Sequence, residues 1–262
     1  MSDTGAVGGE RFDFGRVVGQ TFGLIGRNFP LFALLSLVLV GAPNFGLIYV
    51  QSSAIAANDI GLVATASLAG ALISMIMSFI LQGSITRASI DDLSGVGARA
   101  GAAIGDGLRF FFPLLLVGIL AGIGILVGFV LLIVPGLILM VRWAVTAPVV
   151  VVEDVGPTMS FGRSADLSRG HRWAIFGLLL LYLVFSYAVQ IIFGMIIGAI
   201  GVAAVSPELA TFDTTGLVVA VTSAALGALV SLVSTVGVAA LYFELRRVKE
   251  GVNVSDLAKV FE

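Results

Sequence analysis

Few residues in this chain are of a type that does chemistry, and their spacing narrows the choice further. There is no cysteine, which excludes thiolate nucleophiles, thiolate metal sites and disulfides. One histidine, His171, excludes an all-histidine metal cage, and its position between Gly170 and Arg172 fits a boundary residue better than a catalyst. The carboxylate pairs Asp91-Asp92 and Glu153-Asp154 are adjacent, so on a helix their side chains diverge. General acid and base work needs carboxylates brought together on one substrate. Neither a glycine-rich phosphate loop with its lysine nor an HExxH or GxSxG arrangement occurs. No enzyme activity, cofactor or metal is therefore expected. The candidate that remains is Arg142, the one ionisable residue inside an apolar run. A central arginine costs about 3 kcal/mol to insert in a bilayer and is usually paired or turned to a polar cavity. With no carboxylate in any run, its candidate partners are Gln190, Gln82 or carbonyls freed near Pro135 and Pro148. Two roles fit it: a structural one, by snorkelling or binding carbonyls, and a functional one, by holding a lipid phosphate or substrate anion.

The elements that would position these residues are membrane spans. Of the 262 residues 58% are apolar and 11% charged, where soluble domains carry about 25% charge. The near balance of 14 basic and 16 acidic residues suggests neither a nucleic-acid partner nor an acidic tail. A spanning helix needs about 20 mostly apolar residues, and runs at 29–50, 61–85, 110–134, 174–204 and 216–243 meet that length without a charge. A sixth run, 136–152, is interrupted only by Arg142, with Pro135-Gly136 as the tight turn before it. Six spans leave no stretch long enough for a separate soluble domain.

Basic residues should collect in alternate loops if the spans are counted correctly. Arg11, Arg16 and Arg27 precede the first span; Arg87, Arg99 and Arg109 fall between the second and third. Arg163, Arg169 and Arg172 lie between the fourth and fifth, and Arg246, Arg247, Lys249 and Lys259 follow the sixth. Arg142 is the remaining member of the 14. The opposite loops hold Asp59, the Pro-Gly turn, and Glu208 with Asp213. Both termini are thus expected in the cytoplasm, as leader 1–28 and tail 244–262. Ala54-Ile55-Ala56 has the form of a signal-peptide cleavage site, but the charged leader and the apolar run are both too long for one.

The spans pair into three hairpins, each introduced by a stretch ending in arginine beside an aromatic. These stretches begin at Phe14, Ala98 and Ser160. From 12 to 27 the apolar residues keep helical spacing and Arg11, Arg16, Gln20 and Arg27 take the other side, which suits a helix in the headgroup plane. Pro157 begins a second such segment, where Arg163, Asp166 and Arg169 sit three apart and can pair on one helix face. These segments either frame the bundle or contact anionic lipid through Arg163, Arg169 and Arg172. The pattern reads as a diverged threefold repeat or as the common use of Arg and aromatics at interfaces. Within the spans, small residues recur at four-residue spacing: Gly118 and Gly122, Gly124 and Gly128, Gly194 and Gly198, and Ala66, Gly70 and Ser74. Such rows let backbones approach closely, inside the bundle or between two copies along the third or fifth span. Pro43-Asn44 breaks the first span, as a kink or as the interrupted helix of a transporter.

The stretch 133–176 resembles a family of bacterial inner-membrane proteins, the YciC-like group, together with the membrane domain found beside glycerophosphodiester phosphodiesterases. Pro135-Gly136, Arg142-Trp143, Pro148, Glu153, Arg163-Ser164, Leu167 and Gly170 to Trp173 carry the likeness, and Leu241 to Gly251 is similar to the closing segment of such proteins. The resemblance implies an integral envelope protein and supplies no catalytic residues. The phosphodiesterase activity belongs to a separate soluble barrel, for which this chain has no room.

The resulting expectation is an all-α polytopic membrane helix bundle, six transmembrane helices as three hairpins with cytoplasmic interfacial helices, in the bacterial inner membrane. Its expected function is non-enzymatic: organising or maintaining the envelope through membrane lipids, anionic headgroups among them, or through a protein partner or a second copy. A transporter or channel for an anion or amphiphile, using Arg142, is the alternative. The absence of cysteine makes the topology directly testable. A membrane-impermeant maleimide should label Asp59→Cys from outside intact cells, and labelling only from the cytoplasmic side would overturn the orientation.

Overall fold

In the computed structural model, residues 12–203 and 212–251 are described, and among them every regular element is a helix. Six segments are long and apolar enough to cross a membrane: Phe29–Ile55, Ile60–Leu93, Phe111–Leu131, Ile133–Glu153, Arg172–Met195 and Leu217–Glu250. The all-α, six-span expectation holds. The first span is built from α2 (Phe29–Ser36), a π-helical turn (Leu37–Gly41) and α3 (Ala42–Ala56), and the second is α4 (Ile60–Leu93). The third is α6 (Phe111–Leu131), and the fourth is α7 (Ile133–Arg142) followed by α8 (Thr146–Glu153). The last hairpin is α10 (Arg172–Ala203) and α11 (Phe212–Glu250). The loop 204–211 with Glu208, the leader with Arg11, and the tail from 252 with Lys259 lie outside the described residues.

Each hairpin is introduced by a short helix, as the sequence pattern predicts: α1 (Phe14–Arg27), α5 (Ala100–Arg109) and α9 (Pro157–Ser168). Asp13 caps α1 by accepting the Arg16 N–H at 3.2 Å, and Val17, Thr21 and Leu24 form its buried stripe. Gly95 and Gly97, at φ of 82° and 81°, take the left-handed conformation that glycine enters without steric cost. They reverse the chain so that α5 packs against the second half of α4. Pro157 starts α9, where a missing N–H costs nothing, and buried Ser160, Ser164 and Ser168 let α9 approach its neighbours closely.

Two breaks have different causes. Proline at 43 cannot donate its N–H and clashes with the carbonyl four residues earlier. The chain widens just before it, and the Ala42 N–H reaches back to the Leu37 carbonyl. The turn expected at Pro135-Gly136 lies instead at Leu132, which is extended at φ −163° and ψ 150°. Pro135 falls in the first turn of α7, where proline is accommodated, so it begins the helix and does not form the turn. Gly136 sits inside α7, and a Cβ on Gly128 would lie 2.9 Å from its Cα. The fourth span therefore begins earlier than 136 and is broken at 143–145.

The buried residues concentrate where the three short helices lie, at what we term the charged end. Ile80 to Ile90 of α4, Val149 to Val151 of α8 and Ala239 to Leu245 of α11 are covered there. Farther along the spans, large apolar side chains such as Leu68, Leu72, Val130, Leu131 and Val184 are exposed, as a lipid-facing surface requires. Small residues make the tightest crossings. A Cβ on Gly70 would meet Leu47, one on Gly118 the Phe79 ring, and one on Gly124 Trp143, so these serve packing within the chain. Gly122, Gly194 and Gly198 face open space.

The α4–α5 contact depends on Gly107, where a Cβ would lie 2.6 Å from the Ile80 carbonyl and closer still to the Ser84 hydroxyl. Gly107→Ala should destabilise the protein by about 1–3 kcal/mol through overpacking. Gly105→Ala, with no atom within 4 Å of the added Cβ, should be neutral or stabilising by up to about 1 kcal/mol. Unfolding in detergent compares the two, and equal effects would refute the close crossing.

Candidate functional site

At the charged end the arginines and carboxylates of distant segments meet in pairs. Glu153, the last residue of α8, accepts from Arg163 Nε of α9 at 2.8 and 3.1 Å and from the Tyr242 hydroxyl of α11 at 2.9 Å. The Arg163 guanidinium also donates to Glu250, which accepts from Arg246 Nε at 2.8 Å. Arg246 in turn donates to the Tyr242 oxygen at 3.3 Å. The hydrogen bond to Glu153 is the main cause that drives the Arg163 pKa upward, against the opposing effect of burial. Its charge persists across the working pH range, and its contribution to stability is lost only above the guanidinium's own raised range.

Further pairs tie the other short helices down. Fully buried Glu244 of α11 accepts the Asp13 N–H at 3.2 Å and pairs with Arg16 Nε of α1 at 3.2 Å. Arg27 of α1 meets Asp92 of α4 at 2.7 Å. Arg87 of α4 lies 3.2 Å from Asp91 and 3.7 Å from Asp106 of α5. Arg109 of α5 meets Asp154 at 2.7 Å, with both side chains largely exposed; such a pair contributes about 0–1 kcal/mol. His171 stacks on Phe12 with ring centroids 5.6 Å apart. Burial lowers its pKa, Lys249 adds to that and Glu244 opposes it. The ring is therefore favoured neutral. The stability it contributes is present above the ordinary imidazole pKa and is lost as the pH falls through the lowered one.

Arg142 lies near the middle of the fourth span, as the sequence implies, but at the end of a helix and not within one. It ends α7, where unpaired carbonyls and the negative end of the helix dipole favour a cation. Its own carbonyl accepts the Ser164 hydroxyl at 2.9 Å, and the neighbouring Trp143 ring packs edge-on against Phe161 at 4.8 Å. Its Nε is buried with no hydrogen-bond partner among the described residues. Gln82 and Gln190 line a different space, a cavity of about 690 Å³ between α4, α10 and α11, which Arg142 does not line. Ser78, Tyr182, Ser231, Ser234 and Thr235 share its wall. Of the candidate partners, the two glutamines line a cavity away from Arg142, and the break at 143–145 leaves Arg142 at a helix end, where carbonyls are unpaired.

Of the three basic residues proposed for lipid contact, Arg163 is occupied by Glu153 and Glu250. Arg169 is exposed, with Asp166 at 3.9 Å, and Arg172 is exposed beside Trp173, which is 87% accessible. Among the described residues no group of three or more His, Asp or Glu stands close enough to hold a metal ion. Tyr242, Glu244 and Glu250 escaped the sequence reading. Their signal was present, since Tyr242, Arg246 and Glu250 repeat every four residues on one helix face, but their partner Glu153 lies 89 residues from Tyr242.

The fold and this charged end define an integral membrane protein, all-helical and multi-pass. Residues 14–245 match the model of a family described as a domain of unknown function, DUF7847, and the chain belongs to that family. Neither a curated protein nor a solved structure matches it.

The Glu153 contacts generate a test of the network. Glu153→Gln should cost about 1.5–3 kcal/mol, as for a lost charge-assisted hydrogen bond, and Tyr242→Phe about 1 kcal/mol. Both act through Oε1 of Glu153, so the double variant should cost less than the sum. Strict additivity in detergent unfolding would show that the two contacts are independent.

Proposed function

We propose that the protein is a non-enzymatic membrane-organising protein that contacts anionic lipid headgroups with its charged end. The observation that carries this reading is the division of its arginines. Arg16, Arg27, Arg87, Arg109 and Arg163 are engaged with carboxylates of the same chain. Arg172, and Arg169 with only the exposed Asp166 at 3.9 Å, stand out on the turn that Gly170 makes at φ 91°, beside exposed Trp173. An aromatic of this kind sits at the headgroup level, and basic residues next to it gain about 1 kcal/mol each from anionic lipid. The basic side faces the cytoplasm by the distribution of charge among the loops. Protein partners, a second copy among them, would meet the same face. Kinship with the YciC-like group, and with it a place in a bacterial inner membrane, rests on the motifs between Pro135 and Trp173 and on the closing segment Leu241 to Gly251.

The reading of Arg142 as the charge in an anion pathway finds no support in the cavity of α4, α10 and α11, because Arg142 is not on its wall. Mass spectrometry of lipids retained through purification tests the preferred reading. Arg169→Gln and Arg172→Gln should each lower the retention of anionic lipid about fivefold, the equivalent of 1 kcal/mol, with folding intact. Unchanged retention in the double variant would overturn it.

A further inference from the structure

We infer that the cavity between α4, α10 and α11 is a binding site for an uncharged amphiphile whose polar part carries hydroxyl or carbonyl groups. The space, open on the side of the exposed Gln190, has a volume of about 690 Å³, in the range of small-molecule sites. Its wall is of two kinds. Phe79, Phe193, Leu226 and Val230 offer a hydrocarbon surface, while Gln82, Gln190, Ser234 and Tyr182 bring carboxamides and hydroxyls from three helices to the same space. Gly194 and Gly227, which add no side chain to fill it, also line it.

The polar wall has spare hydrogen-bonding capacity. The half-buried Gln82 makes no hydrogen bond to a described residue, although its carboxamide has two donors and an acceptor. Gln190 uses one N–H on the Ser186 carbonyl of its own helix, at 3.3 Å. In a bilayer no bulk water satisfies what is left, and an unpaired polar group there costs several kcal/mol. A ligand carrying both donors and acceptors satisfies it. Among the described residues no Asp, Glu, Lys or Arg lines the cavity, so a charged headgroup would be desolvated without a counter-charge from them. Hydroxyls, esters and amides suit the wall, and phosphates and free carboxylates do not.

The adjoining groove makes an internal comparison. On the α1 side of α10 and α11 lies a cavity of about 390 Å³ walled by Val18, Phe22, Leu178, Phe185 and Val238, and Tyr182 and Ser234 line both spaces. It has the hydrocarbon surface without the carboxamides. A chain alone would show no preference for the glutamine side.

The test uses the full chain in nanodiscs with a monoacylglycerol bearing a photoreactive diazirine in its acyl chain. Cross-linked peptides should come from α4, α10 and α11 around Gln82, Gln190 and Phe193. Gln82→Leu with Gln190→Leu should lower that labelling about tenfold, the worth of one or two hydrogen bonds. Unlabelled monoacylglycerol should compete, and a lysophosphatidylglycerol or fatty acid of the same chain length should compete at least about tenfold less well. Size-exclusion profiles of the variants confirm folding, and Gln82→Asn provides a second variant that keeps the amide while moving it. Labelling unchanged by the leucine pair, spread evenly over the lipid-facing helices, or displaced equally well by the anionic lipids would overturn the inference. None of these results bears on lipid retention by Arg169 and Arg172, so the two readings fail separately.

Discussion

The carboxylate of Glu153 is the contact on which the charged end depends. It closes α8, receives Arg163 from α9 and Tyr242 from α11, and so joins three segments at one pair of oxygens. Apolar burial cannot substitute for such a contact near a bilayer. Lipid tails are as apolar as leucine, and helices in lipid gain little by exchanging one for the other. Packing of small residues and pairing of charges must therefore fix the helices. Both are found here, with glycine crossings along the spans and ion pairs where the spans end. A half-buried network of this kind is also vulnerable. Removing one partner leaves the others desolvated and unpaired, which costs more than the pair contributed.

The short helices α1, α5 and α9 acquire their role from this arrangement. Their amphipathic sequences suit the headgroup plane, yet each is tied to a span by at least one carboxylate–arginine pair. α5 goes further, since Gly107 lets it press against the α4 backbone. These helices join the ends of the spans into one layer and leave the farther halves of α4, α6 and α10 facing lipid.

What was legible in the sequence follows the range of the interactions involved. Spans are written locally in hydropathy, and the alternate placement of basic residues confirmed their number, so six helices and three introducing segments were readable. The break before Pro43 was readable for the same reason, since proline's missing N–H acts within one turn. The turn at Leu132 was not, because Pro135 serves equally well as a turn residue or as a helix start, and only the packing of Gly136 on Gly128 selects the second. The helix end at Arg142 was not readable either, since the break at 143–145 contains no proline or glycine to announce it. Pairs such as Arg16 with Glu244 and Arg27 with Asp92 join residues far apart in the chain, and nothing in their own neighbourhoods announces the partner.

The charges and the uncharged polar groups have separated into different parts of the molecule, and this separation bears on what each part can bind. Arginines and carboxylates gather where α1, α5 and α9 lie, mostly paired with each other. Glutamines and hydroxyls gather between α4, α10 and α11, where no charge of the described residues accompanies them. A buried charge without a partner is too costly to keep in lipid, whereas a carboxamide costs less and retains its capacity to hydrogen-bond. The absence of charge from the cavity wall is thus compatible with its place in the membrane, and it also sets the ligand's character. Arg142 obeys the same rule: as the only arginine within an apolar run, it stands at a helix terminus, where carbonyls provide the negative potential that no carboxylate supplies.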